Sequence, residues 1–580
     1  MTLRFDEILS RAAAWADDDP DATTREQVLG WVETRDEVAL RAAFDGRLEF
    51  GTAGLRGPLA PGPLGLNRAF VRRVTAGLGA YVGRTTPAAL ERRVVIGYDG
   101  RVGSRVFAED AAGILGAQGF VVLLYDTVCP TPELAFAVVY LQCVAGIMVT
   151  ASHNPPGDNG YKVYWGDGAQ IVPPHDAGIS AAIDEVLSLS GVGCDSLEAM
   201  FASGSLRTVP REVREAYLEG ALALRVHSES GTVRAVYTAM HGVGRDLLFE
   251  LLARSGHDDV HAVPEQAEPD GRFPTVAFPN PEEKGALDLA LRLAGSIDAA
   301  LVIANDPDAD RLAVAVRLGG GAYRSLTGNE VGQLLASDLL ANGRRERTRL
   351  VATTVVSSSM LSKLAAESGA HYAETLTGFK WIAHRALAFE ANGGDFVMGY
   401  EEALGYSVGS LVRDKDGVST AMLLLDLAAF EARRDRTLID ALDDLSRRHG
   451  LHVSGQRSVT LPGAAGAVRI REMMASLRRQ PPVSIGGRQV TAIRDLSLPD
   501  APDLPPADVL AYTLDDGTRI LARPSGTEPK IKFYFEVVES VDPSEPLPAA
   551  EVRARARLIQ TQSAFEDHLG PFLAAPESRR

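Results

Sequence analysis

Asp306-Pro307-Asp308-Ala309-Asp310-Arg311 sets three carboxylates at alternate positions directly after an apolar run at 301–304. In an extended segment alternate residues share a side, so the three would converge. Hard oxygen donors gathered this way suit Mg²⁺ or Ca²⁺, and without a cation their repulsion would force some of them to protonate. A calcium loop of the EF-hand type fails, because its sixth and twelfth positions need glycine and glutamate and here hold Arg311 and Arg317. Arg311 is placed to orient a phosphoryl oxygen beside such a metal. The plain alternative is a solvated acidic turn, and the strand-like run immediately before it argues against that.

A second cluster is Thr150-Ala151-Ser152-His153-Asn154-Pro155-Pro156, after the uncharged residues 145–149. A serine at the carboxyl end of a buried parallel strand sits where α/β proteins present reactive groups. The prolines and Gly157-Asp158-Asn159-Gly160 turn the following chain. His153 and Lys162 offer a proton acceptor or a positive charge near the serine oxygen. A hydrolase elbow, Gly-x-Ser-x-Gly, is absent here, which lowers the case for a serine esterase. Alone the segment reads as an ordinary Ser/Asn/Pro loop, and its weight depends on the aspartates.

Two more loops combine polar groups with glycine. Gly399-Tyr400-Glu401-Glu402-Ala403-Leu404-Gly405-Tyr406 places adjacent acids between glycines and aromatics, a pattern suited to sugar hydroxyls. Its sequel, Arg413-Asp414-Lys415-Asp416-Gly417, is charge-dense and reads as solvated. Arg523-Pro524-Ser525-Gly526-Thr527-Glu528-Pro529-Lys530 supplies an arginine, hydroxyls and a glycine, the makings of a phosphate cradle without the P-loop signature. Weaker signals are the Gly-rich segment at 50–57, ending in Arg56 and Gly57, and the turn Thr377-Gly378-Phe379-Lys380. Gly77, Gly79 and Gly83 have the wrong spacing for a dinucleotide fingerprint.

These loops need a scaffold, and the chain supplies one. Short β-rich runs at 94–99, 120–125, 233–238, 299–304 and 350–355 alternate with amphipathic helical stretches, such as those at about 107–118 and up to about 255 and 368. Near-continuous apolar strands between helices predict α/β domains with mixed, mostly parallel sheets. The 580 residues exceed one core and predict several domains, placed at 1–215, 216–326, 327–452 and 453–580. The Pro-rich stretch 481–506 lies in the last of these, read as a separate α+β unit.

Hydrophobic residues at 46% and charged residues at 23% are ordinary for a globular chain. The net charge of −17 disfavours nucleic acid and anionic membranes as general partners, because both call for a basic footprint. Cys129, Cys143 and Cys194 fit no zinc or disulfide spacing, which suggests a reducing compartment. Asp6 and Glu7 stand where a secretory signal would have its apolar core. The uncharged stretch 134–151 reads as a short helix followed by a buried strand, not as a membrane span. A cytoplasmic protein is expected.

Taken together and in order, the loops at 150–155, 306–311, 399–405 and 523–529 resemble the phosphoserine, metal, sugar and phosphate loops of the α-D-phosphohexomutases. That family includes phosphoglucomutases and phosphomannomutases, and the similarity runs from about Glu49 to Glu536. The resemblance implies four domains around a central cleft, three of them α/β and the last a mobile α+β domain, with a phosphosugar as substrate. It implies a phosphorylated Ser152 bound to Mg²⁺ with Asp306, Asp308 and Asp310 as metal ligands, and a sugar 1,6-bisphosphate intermediate that also acts as activator. Arg56, His153, Lys162 and Arg311 match the family's cations and proton carriers, with Lys162 the expected main general base and His153 next. Glu401, Ala403, Arg523, Ser525, Gly526 and Thr527 are the expected substrate-binding residues, together with Thr377, Gly378 and Lys380. Ala403 stands where many members have serine, so one hydroxyl donor is missing. The 50–57 and 399–406 segments look closer to the longer branch, which includes enzymes acting on pentose phosphates. The expectation is interconversion of hexose 1-phosphate and 6-phosphate, glucose first and mannose next. The alternatives are a phosphopentomutase, a metal-dependent phosphatase and a silent sugar-phosphate sensor; the intact serine, aspartates and phosphate cradle argue against the last.

Overall fold

The computed structural model describes residues 3–51, 54–87, 91–461, 463–498, 504–525 and 529–573. The chain divides into two compact units, Met1–Leu350 with Gly378–Asp435, and Val351–Thr377 with Arg436–Arg580.

The first unit is built on two large sheets. In one, the strands run Leu55–Pro58, Asp158–Trp165, Ala145–Val149, Arg93–Tyr98, Val121–Leu124, Leu206–Thr208 across the sheet. The last four are parallel to one another, and the first two are antiparallel additions. Ala145–Val149 is buried throughout, which accounts for its uncharged, apolar composition. The helix before it, Thr131–Tyr140, ends well short of a bilayer's thickness, and among the described residues no helix is long and apolar enough to cross a membrane. The register of this sheet sets Lys162 opposite Met148, and Arg56 opposite Gly160. Gly54, at φ +81°, is needed on the approach, because a Cβ there would lie 2.5 Å from the Tyr161 carbonyl oxygen.

In the second sheet the order is Tyr323–Ser325, Ala313–Arg317, Leu301–Ala304, Ala235–Thr238, Val260–Ala262. Leu301–Ala304 is parallel to Ala235–Thr238 but antiparallel to Ala313–Arg317. The aspartates therefore sit in a tight return between neighbouring strands, and not on an extended segment. Ala309 adopts φ +58°, and its N–H donates to the Asp306 carbonyl at 2.8 Å. Convergence of the carboxylates comes from this turn, which corrects the alternation expected from the sequence. The hairpin Asp395–Glu401/Gly405–Val408 belongs to the same unit. The N-terminal helices Phe5–Asp18, Ala22–Thr34 and Glu37–Phe44 share a core of Ile8, Trp15, Val28 and Phe44, an addition that the strand–helix rhythm did not announce.

The second unit carries an all-antiparallel sheet, ordered Leu451–Thr460, Lys530–Glu539, Arg519–Pro524, Leu510–Leu514, Arg488–Asp495, Ser484–Ile485. Helices Gly463–Arg479 and Leu547–Leu573 accompany it, and Phe565 packs edge-on against Phe533 and Phe535. The unit also takes in residues 351–377. Two side chains fasten that segment: Glu536 accepts the Ser359 N–H at 2.9 Å, and Arg519 donates to the Val355 carbonyl at 3.0 Å and to Glu374 at 3.1 Å.

Burial alone would push Glu536 up, but the hydrogen bond and charge of His452, with Arg519, outweigh it and hold the carboxyl at about 2. The native state thus binds fewer protons than the unfolded chain between about 2 and the ordinary 4.5, so this contribution is complete above 4.5 and lost on acidification through that window. Glu536→Gln is expected to destabilise the second unit by about 3 kcal/mol at neutral pH. Chemical denaturation should show the gap from wild type closing between pH 4.5 and 2.

Candidate active site

Ser152 is the third residue of the loop after Ala145–Val149 and is fully buried, at φ +50°, a conformation that non-glycine residues adopt only when neighbours enforce it. Its N–H donates to Thr150 Oγ1 at 2.8 Å. Its Oγ donates to Asp306 Oδ2 at 2.5 Å and lies 3.1 Å from His153 Nδ1. Burial, then the charges of Arg311 and Arg56, hold the His153 imidazole well below its usual range, so it is neutral and able to accept a proton.

The three aspartates are buried, and one carboxylate oxygen from each lies within 4.8 Å of the others. Lys162, itself fully buried, donates to Asp308 Oδ2 at 2.6 Å and to Asp310 Oδ2 at 2.8 Å. Thr131 Oγ1 donates to Asp308 Oδ2 at 2.6 Å. Burial and the neighbouring aspartates raise Asp306 well above the carboxylate range. Burial pushes most on Asp308 and Asp310, but Lys162, joined by Thr131 at the first and by Lys415 and Arg311 at the second, holds both low. Burial lowers Lys162, and the two aspartates more than restore it, so it is charged. Asp308 Oδ1 and Asp310 Oδ1 remain buried with no hydrogen-bond partner among the described residues. Orphaned anionic oxygens beside a third carboxylate and a serine hydroxyl form a hard-oxygen donor set that fits a divalent cation.

Cations surround this cluster. Arg311 Nε is 4.0 Å from Asp306 and 3.9 Å from Asp310, while its Nη1 donates to the Ala403 carbonyl at 2.7 Å. Arg56 donates to Asn154 Oδ1 at 3.1 Å, and its buried Nε has no partner among the described residues. Lys415 Nζ lies 3.1 Å from Asp310 Oδ2 and 3.3 Å from Asp414 Oδ1. Asp414 also accepts from Tyr164 at 2.8 Å and Gln170 at 2.6 Å. Residues 414–416 are buried, against the expectation of a solvated run. Their charges compensate one another and cap the next helix: Asp416 accepts from Val418 N and Ser419 N at its start.

The aspartate loop and the hairpin are joined along the backbone. Leu312 N donates to the Leu404 carbonyl at 3.0 Å, and Gly417 N to the Ala309 carbonyl at 3.2 Å. A Cβ on Gly417 would fall 2.2 Å from the Arg311 carbonyl oxygen, so glycine is required at this approach.

Four family models cover the chain in order. Residues 47–189, 215–320 and 327–449 match alpha/beta/alpha domains I, II and III of phosphoglucomutase/phosphomannomutase, and 475–545 match its C-terminal domain. The chain belongs to this family. Its members, the α-D-phosphohexomutases, are isomerases that move a phosphoryl group on phosphosugars, and the chain is one of these phosphomutases. A probable phosphomannomutase of Haemophilus influenzae is 42% identical over 82% of this chain and 93% of its own. The human phosphopentomutase is 36% identical over 96% and 95%. A solved phosphoglucomutase/phosphomannomutase family protein of Burkholderia thailandensis shares the fold, with a TM-score of 0.67 at 20% identity over 90% of this chain and 97% of its own.

The phosphohexomutase fold thus places Ser152, His153, Lys162, Arg56, Arg311 and the three aspartates in one buried cluster. Glu401 ends its strand and accepts the Gly378 N–H at 2.8 Å; burial raises its carboxyl above the usual range, with Lys415 and that N–H opposing. Ala403 contributes its carbonyl to Arg311. Lys380 is in the first turn of the helix Phe379–Ala391, where a simple turn was expected, because Gly378 at φ +115° ends the preceding segment and starts the helix. Thr377, Arg523 and Ser525 belong to the second unit. Thr377 Oγ1 is buried and has no partner among the described residues, and Ser525 N donates to the Lys530 carbonyl at 2.7 Å. Gly526 and Thr527 lie outside the described residues. Sequence reasoning missed Thr131 and Lys415. Only Lys415 carried a signal, being flanked by two acids in a short run.

Proposed function

We propose that this mutase interconverts hexose 1-phosphate and hexose 6-phosphate, with glucose preferred over mannose and Ser152 as the phosphoryl carrier. The observation that carries the proposal is the buried Ser152 hydroxyl, donating to one carboxylate of the aspartate cluster and touching a neutral histidine. In each half-reaction the bond between phosphorus and Ser152 Oγ breaks as a sugar hydroxyl oxygen bonds to phosphorus. The proton of that hydroxyl passes to the neutral His153, or to Lys162 once its ammonium has given up a proton of its own to solvent, and the steps reverse when the other phosphate returns to Ser152. Arg56 and Arg311 bring fixed positive charge to the transferring oxygens, and burial keeps water from intercepting the group. Asp306, Asp308 and Asp310, with the serine oxygen, would hold Mg²⁺, which supplies Lewis-acid neutralisation of phosphoryl charge. Glu401, Ala403, Thr377, Gly378 and Lys380 serve the sugar, and Arg523, Ser525, Gly526 and Thr527 the phosphate that is not transferred. Domain boundaries at 215, 326 and 452 assign one loop to each domain, and the free cysteines fit a cytoplasmic setting.

The near full-length match to the human phosphopentomutase, with the missing hydroxyl at Ala403, supports a second reading in which ribose or deoxyribose phosphate is preferred. Coupled assays on glucose, mannose and ribose 1-phosphates, each with its bisphosphate and Mg²⁺, separate the two. A kcat/KM tenfold higher for the pentose would replace the hexose assignment. Free phosphate accumulating without isomerised sugar would indicate a phosphatase.

Metal binding has its own test. Mg²⁺ at about 100 times its dissociation constant should stabilise the protein by about 2.7 kcal/mol. Thermal unfolding with and without EDTA should show this gain in wild type and its absence in Asp310→Asn. An equal shift in both proteins would remove Asp310 from the ligand set.

A further inference from the structure

Arg101 plays no part in the chemistry above, yet its guanidinium holds the serine loop through main-chain atoms. Nη2 donates to the carbonyls of Ser152 and Asn154, both at 2.6 Å. Nη1 donates to those of Pro155 at 2.9 Å and Asp158 at 3.0 Å. The side chain is buried and set from behind. Asp99, at the end of the strand Arg93–Tyr98, accepts the Arg101 N–H at 2.9 Å and Ser104 Oγ at 2.7 Å, and its Oδ2 lies 3.6 Å from Arg101 Nε.

A segment after Val260–Ala262 closes the other side. The Phe273 ring lies 4.9 Å from the guanidinium carbon, with Phe273 itself at φ +48°. A Cβ on Gly271 would fall 2.6 Å from Val102 N and 2.8 Å from Arg101 Cα, so this segment lies directly on the arginine's backbone. Only a planar fork of five N–H groups can serve four carbonyls and still present a face to a ring; an ammonium cannot.

We propose that Arg101 is the positioning residue for phosphoryl transfer. Its clamp fixes Ser152 in the left-handed conformation that aims Oγ at Asp306 and His153. The inference rests on Ser152 as the carrier. Among the described residues the Arg101 guanidinium bonds to main-chain carbonyls of the serine loop and to no side chain of the aspartate cluster, so loosening the clamp should misplace the carrier without weakening sugar-phosphate binding. A displacement of about 1 Å at a reacting group costs on the order of 100-fold in rate.

The test is Arg101→Lys in the full-length protein, with activity expressed per site that accepts ³²P at Ser152 from labelled bisphosphate. This normalisation removes any loss of folded enzyme. The expected result is a kcat about 100-fold lower with KM within about threefold of wild type, and single-turnover transfer from phosphoserine slowed to match. A per-site kcat within threefold of wild type, or a rise in KM with kcat unchanged, would overturn the proposal. Should the lysine variant fail to fold, Arg101→Ala replaces it. Added guanidinium ion at tens of millimolar should then restore kcat at constant KM, and no recovery would overturn the assignment. Wild-type protein that takes label elsewhere than Ser152 would overturn the carrier reading and this one with it.

Discussion

Ser152→Ala is expected to lower mutase turnover by about 10⁴-fold or more while leaving the fold intact. The serine is fully buried and its hydroxyl makes two side-chain interactions, to Asp306 and His153, so alanine removes one oxygen and leaves no steric conflict. Without that oxygen there is no covalent store for the phosphoryl group between half-reactions, and neither histidine nor lysine can take its place at the same point. The measurement is a coupled assay of glucose 1-phosphate conversion with Mg²⁺ and the bisphosphate, alongside thermal unfolding. Conversion within tenfold of wild type would discard Ser152 as carrier. Asp306 also loses its hydroxyl donor in the variant, so a change in metal affinity should be measured separately and should stay small beside the loss of turnover.

The second large effect is expected at Lys162. Its ammonium is buried against Asp308 and Asp310, and removing one partner of a buried ion cluster strands the other charges. Lys162→Met should therefore cost about 3–5 kcal/mol of stability in metal-free protein. Turnover should fall about 10²–10⁴-fold, the usual range for a lost acid or base. The arginine variant separates proton transfer from charge. Lys162→Arg keeps a cation beside the aspartates but cannot give up a proton near neutrality. If Lys162 is the main base, the arginine variant should recover stability and not rate. Recovery of more than a tenth of the rate would give the proton to His153, whose neutral ring already lies 3.1 Å from the serine oxygen.

The parts of this architecture that were legible in the sequence are those written in local pattern. The uncharged run before Ser152 is a fully buried strand, as its composition requires, and the four loops appear in the family's order. What was illegible depends on partners distant along the chain. The run at 413–417 carries the same letters whether solvated or buried, and only the approach of Asp310, Tyr164 and Gln170 makes burial tolerable. Arg101 gives no signal at all, because its partners are carbonyls, which every sequence possesses. The aspartates were found by an alternation argument, yet a left-handed Ala309 gathers them. The three carboxylates do lie together, but not by the expected geometry, since a spacing of two is compatible with both a strand and a tight turn. Residues 351–377 belong to the second compact unit because Arg519 and Glu536 recognise mostly their backbone, another interaction without a sequence signature.

The hydrogen bonds that join the aspartate loop to the hairpin at 401–405 and to Gly417 bear on how this enzyme can change. Leu312 with Leu404, Arg311 with Ala403, and Gly417 with Ala309 make one piece of the parts that would hold the ion and those proposed to face the sugar. Selection for a new sugar that shifts the hairpin would therefore displace the ion's ligands as well. Lineages that switch substrate should change ion preference in parallel, or confine their adaptive substitutions to the second unit, where they leave this junction untouched.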